Sequence, residues 1–230
     1  MVLEINNLTK KYVTRTALDA ISFGVEKGEV IGFLGPNGAG KTTTMNIITG
    51  YLAQTSGEVN IASGCRIGYL PEHPPLYPDM TVREFLEFVY ELKRVTIPSE
   101  KHIAEVVEMA KIGDVENRII KRLSKGYRQR IGLAQALIGY PEIIILDEPT
   151  IGLDPKQISE FRTLVRTLAG DHTIILSSHI LQEIEAVATR VLIVNQGKLV
   201  ANGTISELTG NGKESLEEVF LRVTQEEVSA

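Results

Sequence analysis

The sequence predicts an α/β fold with a mainly parallel core sheet, a small antiparallel β layer and an inserted helical segment. Three observations point there. Val30–Leu34, Ile143–Leu146, Thr173–Leu176 and Val191–Val194 are short, nearly unbroken apolar runs, as expected of strands buried on both faces. Helical patterns separate most of them, and strands joined by helical crossovers run parallel. By contrast, Val2–Leu8 and Leu18–Val25 alternate apolar and polar residues, which suits strands solvated on one face.

Taken in order, Val2–Leu8 and Leu18–Val25 read as strands around a polar turn, and Val30–Leu34 as a core strand. The glycine-rich stretch Gly35–Thr43 follows, then a helix over Thr42–Thr49. Gly57–Ile61 and Arg66–Leu70 read as further strands. Pro71, Pro74, Pro75 and Pro78 then punctuate an irregular loop. Thr81-Val82-Arg83-Glu84 has the form of a capping box, and Phe85, Leu86, Phe88, Val89 and Leu92 keep helical spacing behind it. With helices over 101–111 and 130–138, roughly 75–139 forms a helical insertion. After it come a strand at Ile143–Leu146, a helix at Gln157–Leu168, a strand at Thr173–Leu176, a helix at Leu181–Ala188 and a strand at Val191–Val194. The Asn195-Gln196-Gly197-Lys198 hairpin leads into Leu199–Ala201. A short break at Gly210–Gly212 precedes a final helix near Ser215–Val223. The resulting organisation is one domain: 1–74 and 140–209 form the α/β core with its antiparallel layer, 75–139 the helical subdomain, and 210–230 a short tail.

At 230 residues and 43% hydrophobic composition the chain can bury one large core. The formal net charge of −5 gives no general case for nucleic-acid binding, although 121–130 is locally basic. A single cysteine, Cys65, fits a reducing compartment. No apolar run reaches the ~18 residues of a membrane span, and Met1–Leu8 lacks the pattern of a secretory leader. Any membrane part of the function is expected from another chain.

Gly35-Pro36-Asn37-Gly38-Ala39-Gly40-Lys41-Thr42-Thr43 matches G-x-x-x-x-G-K-[ST] between a strand and a helix, the setting a phosphate-binding loop requires. Glycines let the backbone turn and aim N–H groups inward, the helix start adds partial positive charge, Lys41 adds a full one, and Thr42 offers a hydroxyl to Mg²⁺. Ile143–Leu146 ends in Asp147 and Glu148. A buried strand holds carboxylates where its end meets positive charge, so Asp147 is expected to support the metal and Glu148 to prepare the attacking water. Leu123–Arg130 opens another helix, with Ser124 as N-cap and Gly126 exposing backbone to an anion; by spacing alone it reads equally as a capped helix with a basic first turn. His179 at a strand end could reach a terminal phosphate, or be structural. Tyr12 in the loop after the first strand could stack on a base, or simply pack. Asp154, before Pro155, could cap the next helix.

In sequence order Gly35–Thr43, Leu123–Gln129, Ile143–Glu148, Ile151–Asp154 and His179 resemble the ATP-binding subunit of an ABC transporter, across nearly the whole chain. The resemblance implies a RecA-like phosphate-loop NTPase core and a Mg²⁺-dependent ATPase that works as a head-to-tail dimer. ATP held by Asn37, Gly38, Ala39, Gly40, Lys41, Thr42 and Thr43 would be capped by Ser124 and Gly126 of the other subunit. Tyr12 would stack on adenine and His179 would touch the γ-phosphate. Thr42, Asp147 and Glu72 would surround the metal, and Asp154 would communicate across the interface.

Three departures stand out: Glu72 where the family usually has glutamine, Lys125 and Tyr127 where it usually has glycine and glutamine, and Ile151 where it has a small residue. Glutamate keeps an oxygen for Mg²⁺ but loses the amide donor. Lys125 is expected to carry its charge towards the nucleotide. Tyr69–His73, Leu123–Tyr127 and Leu216–Phe220 resemble the subgroup serving ABC-2-type permeases, including gliding-motility-like, drug and lipid exporters. That implies a separate transmembrane permease, a second ATP-binding subunit (the same or different) and a cytoplasmic place on the inner face of the membrane. Relative to that subgroup, the connections at 61–65 and 209–214 are short. The alternative is a soluble ABC ATPase without a permease, such as the iron–sulfur assembly type.

Overall fold

Uninterrupted apolar runs become buried parallel strands, and the alternating runs form a separate antiparallel sheet. The computed structural model describes residues 1–225. In chain order the elements are β1 (Leu3–Lys11), β2 (Thr16–Val25), β3 (Val30–Leu34), α1 (Lys41–Ile48), β4 (Ser56–Ile61), β5 (Ile67–Leu70), α2 (Val82–Leu92), α3 (Ser99–Met109), α4 (Lys125–Leu137), β6 (Ile143–Asp147), α5 (Pro155–Leu168), β7 (Thr173–Ser178), α6 (Leu181–Val187), β8 (Arg190–Asn195), β9 (Lys198–Gly203), α7 (Ile205–Leu208) and α8 (Leu216–Gln225). The fold is α/β. The chain forms two compact units, Met1–Cys65 with the segment from Thr173 onward, and Arg66–His172. Residues 226–230 of the expected tail lie outside the described residues. Among the described residues no helix is long and apolar enough to cross a membrane.

In the first unit β2, β1 and β4 make the antiparallel sheet, with Leu3 opposite both Val25 and Ile61. β3 lies between β7 and β8, parallel to both, and Gly32 pairs with Leu176 and Val191. Every residue of β3 is buried. Gly32 is needed there: a Cβ would stand 2.3 Å from Ile184 Cγ2 of α6. β9 returns antiparallel on β8 through Gln196 and Gly197, with φ of 47° and 81°. Positive φ at both central residues is what a type I′ hairpin turn demands. β1 runs longer than its alternation suggests. Asn7 is left-handed (φ 50°) and the register shifts between Ile5 and Leu8, so a bulge breaks the period-two pattern.

In the second unit β5 and β6 pair in parallel, from Ile67 with Ile143 to Leu70 with Leu146. α4 lies close on β5, since a Cβ on Gly68 would meet Ala136 O at 2.4 Å. α2, α3 and α4 share a core that includes Phe85, Leu86, Val106, Ile131 and Leu133. The capping box at α2 is complete: Glu84 N donates to Thr81 Oγ1 (3.2 Å) and Thr81 N donates to Glu84 Oε2 (2.7 Å). α4 starts at Lys125, as the expected Ser124 cap requires and more than a turn before the periodic stretch at Arg130; Ser124 accepts from Tyr127 N. Its far end is closed by Lys93, whose Nζ donates to Gln135 O (2.7 Å), Ile138 O (3.0 Å) and Ala136 O (3.4 Å).

Candidate nucleotide site

The first unit holds the phosphate loop at the carboxyl ends of its parallel strands. Leu34 ends β3 and is in register with Ser178 at the end of β7. Gly35 and His179 therefore leave the sheet side by side, where ligands of open α/β sheets bind. Gly38 (φ 80°) and Gly40 (φ 110°) are left-handed, a conformation glycine adopts without steric cost. Gly40 is also tightly fenced: a Cβ would stand 2.6 Å from Leu18 Cδ2 and 2.8 Å from Ala17 O. Lys41 is 5% exposed and opens α1; its Nζ donates to Gly35 O (2.7 Å) and Pro36 O (3.3 Å), so the ammonium is drawn back over the loop. Asn37, Gly38 and Thr42 are exposed, whereas Ala39 is buried under them. Tyr12 lies in the β1–β2 turn, closed by Tyr12 N to Arg15 O at 2.8 Å. Its ring is half-open, with Lys10 Nζ 5.2 Å and the Arg15 guanidinium 5.8 Å from its centroid. β2 leads from this turn to Leu18, against Gly40.

The second unit gathers the acids. Leu70 and Leu146 are in register, so Pro71–Glu72 and Asp147–Glu148 emerge at the same edge of the β5–β6 pair. Asp147 is fully buried and Glu148 is 7% exposed. Glu148 has φ 48°, unusual for a residue with a side chain. Such strain persists where its surroundings hold it, and it clusters at functional sites. Ile151 N (3.3 Å) donates to Glu148 O and closes the next turn. Ser124, Gly126 and Asp154 come together around one cavity of about 340 Å³, with Tyr127, Arg130 and Gln157 also on its wall. Asp154 caps α5 by accepting from Gln157 N (2.9 Å), with Pro155 in the first turn. Gly126 sits directly over Gln157, since a Cβ there would fall 2.9 Å from its amide carbon.

Comparison with known proteins puts these pieces in a family. The ABC transporter family pattern matches residues 18–151, more than half of the chain. The chain belongs to the ABC transporter family. The bacitracin transport ATP-binding protein BcrA of Bacillus licheniformis is 37% identical over 228 residues, covering 94% of this chain and 74% of that one. The lantibiotic transport ATP-binding protein SrtF of Streptococcus pyogenes is also 37% identical over 228 residues, with 95% and 96% covered. Among solved structures, the ATP-binding subunit of an ABC transporter superposes with TM-score 0.85 at 27% identity, covering 97% of this chain and 99% of that chain. The ATP-binding cassette MJ0796, a dimer in a post-hydrolysis state bound to ADP and Pi, gives TM-score 0.80 at 26% identity, with 88% and 98% covered. This ABC protein is an ATP-binding ATPase with a phosphate-loop core.

Several contacts of the ABC chain were not legible in its sequence. The Tyr127 hydroxyl donates to Asp114, which raises the phenol pKa, and the Arg130 guanidinium lies 5.9 Å from the Tyr127 ring centroid while pairing with Glu160. The wall beside Ser124 and Gly126 is thus fixed by residues from three separate segments. Lys125, expected to carry its charge towards the nucleotide, lines a second cavity that includes Glu72. Its ammonium packs over Gly152, where a Cβ would stand 2.5 Å away. The only signal for that contact was the glycine itself, left-handed at φ 68°.

Proposed function

We propose that this chain is the ATP-hydrolysing subunit of an ABC-2-type exporter, dimerising around ATP and driving a separate permease from the inner face of the membrane. The strained, nearly buried Glu148 beside Asp147 carries the hydrolytic part of this proposal. The bacitracin and lantibiotic transport roles named for BcrA and SrtF support the transport part. Residues 1–74 and 140–209 then act as the α/β core, 75–139 as the lobe that conveys closure, and the segment from 210 as a tail.

In this mechanism the amides of Gly38–Thr43, with Asn37 and Ala39 shaping the loop, cradle the triphosphate, and Lys41 leaves its carbonyl partners for the β- and γ-phosphates. Tyr12 offers a face to adenine and His179 contacts the γ-phosphate. Ser124 and Gly126 of one subunit cap the ATP of the other. Glu148 takes the proton of the attacking water. Mg²⁺ takes one or two carboxylates and completes its shell with phosphate oxygens and water. Thr42, Asp147 and Glu72 are the residues that would hold it, and it would neutralise charge on the β- and γ-oxygens. Catalysis is then positioning and electrostatics.

The test is phosphate release by the purified protein with ATP, with and without Mg²⁺, for wild type and Glu148→Gln. Turnover in the wild type that needs Mg²⁺ and is lost in the variant, with ATP still bound, supports the assignment. Wild-type turnover by Glu148→Gln rejects it. Affinity purification from membranes reads the partner, and recovery of no integral membrane protein rejects the permease.

A further inference from the structure

We infer that Glu183 is a positioning residue for ATP hydrolysis: through the Ser178 hydroxyl it fixes the main chain on both sides of His179 and so holds that imidazole in place for the γ-phosphate. This rests on the ATPase reading above, in which His179 contacts that phosphate. The core strand β7 ends in two fully buried hydroxyl residues, Ser177 and Ser178, where apolar side chains would pack with no polar group to satisfy. Ser178 Oγ donates to Glu183 Oε2 (2.9 Å) and accepts from Ile180 N (2.9 Å). Glu183 N donates in turn to Ile180 O (3.2 Å). His179 is the residue bracketed by these bonds, and it stays partly exposed.

Helix capping alone does not call for the acid. Ile180, at the N-cap position of α6, has no side-chain cap of its own, and the Ser178 hydroxyl already meets its N–H in a turn spanning two residues. A serine hydroxyl rotates to suit its surroundings. An acceptor on its far side fixes the proton there and leaves a lone pair aimed at Ile180 N. Glu183 is that acceptor and is 2% exposed, so a carboxylate is withdrawn from water at a cost that an apolar residue would not carry. The acid is itself anchored. Its neighbour Ile184 is fully buried against β3, where a Cβ on Gly32 would stand 2.3 Å from Ile184 Cγ2. β3 runs directly into Gly35 of the phosphate loop, and its last residue, Leu34, pairs with Ser178. The loop proposed to hold the phosphates and the histidine proposed to meet them thus take their places from one strand. Supporting contacts of this kind are what keep a reacting group in productive geometry.

The test uses the full chain and reads its four imidazoles by heteronuclear NMR alongside phosphate release with ATP and Mg²⁺. The His179 signal is assigned by its loss in His179→Gln. In Glu183→Ala that signal is expected to move or broaden, while those of the buried His102 and His172 stay in place and report an intact fold. Turnover should fall at least about tenfold with ATP affinity within about twofold, because placement is lost and binding is not. Glu183→Gln keeps an oxygen that can accept from Ser178, and should restore the His179 signal and at least about half of the turnover. Ser178→Ala, which deletes one oxygen, should reproduce the Glu183→Ala result, and it decides the matter if Glu183→Ala does not fold. Once His179 is replaced by glutamine, adding Glu183→Ala should cost nothing further. An unmoved His179 signal in Glu183→Ala, equal losses in the alanine and glutamine variants, or a full additional loss in the His179→Gln background overturns the inference. Wild-type turnover by His179→Gln sinks the histidine's role and this inference with it. Loss of turnover in His179→Gln but not in Glu183→Ala or Ser178→Ala sinks this inference and leaves the ATPase reading standing.

Discussion

Glu148 combines three things at one position: a carboxylate, near-complete burial and a left-handed backbone with φ 48°. Glu148→Gln keeps the shape and removes the proton acceptor. ATP affinity should stay within about twofold while turnover falls by about 10²–10⁴, the range for loss of a general base; isothermal titration and phosphate release measure the two halves. Lys41→Ala should weaken ATP binding itself, because it deletes the cation held over Gly35 O and Pro36 O. Unchanged affinity would remove the phosphate loop from the mechanism. Lys93 gives a pH signature. Its side chain is partly open, but its ammonium is drawn in against α4, and burial there, with the Arg66 charge, lowers its pKa from 10.5 to about 8. The unfolded chain therefore holds this proton between pH 8 and 10.5 when the folded chain does not, so this group's contribution to stability rises with pH across that window. Subtracting the melting profile of Lys93→Met from that of wild type should isolate that rise, and a flat difference would refute it. Of these residues, the sequence exposed Lys41 and Glu148 through motif and strand context. It hid the torsion at 148 and the Lys93 contacts, which depend on distant backbone carbonyls.

The capped start of α2 and the tight hairpin were among the most readable features. Thr81 and Glu84 declared the start of α2, and the reciprocal hydrogen bonds are formed. Thr81→Ala should cost about 1 kcal/mol and lower the melting temperature by a few degrees; no shift would mean that the cap is redundant with packing. The Asn195–Lys198 hairpin was equally plain, because only a tight turn needs a left-handed glycine there. The apolar period of α4 was legible only from Arg130, because Lys125–Gln129 carries four polar or glycine positions and one tyrosine; its start was legible from the cap residue Ser124. The short α7 and the 3₁₀ turns at Gly113–Val115 and Ile120–Arg122 were missed, since three or four residues give no period to detect. Ser124 and Asp154 were legible as caps. Their meeting around one cavity was not, because the whole intervening segment, 125–153, had to fold first.

At the scale of the whole molecule the proposed engine is a dimer. Glu148→Gln, loaded with ATP and Mg²⁺, should elute at twice the monomer mass in gel filtration and return to monomer with ADP. Dimer formation should fail in Ser124→Arg, whose bulk would block the shared cavity, with ATP affinity of the isolated subunit kept. A persistent monomer in the loaded Glu148→Gln variant would count against closure on ATP.

The phosphate loop leans on a turn far along the chain. Gly197 N donates to Ala39 O (2.9 Å), Gly197 O accepts from Asp19 N (2.8 Å), and a Cβ on Gly197 would collide with Ala17 O at 2.7 Å. The loop is therefore finished late during synthesis: a nascent polypeptide halted on the ribosome before residue 197 is made lacks this buttress, and should pass over immobilised ATP that the completed chain retains.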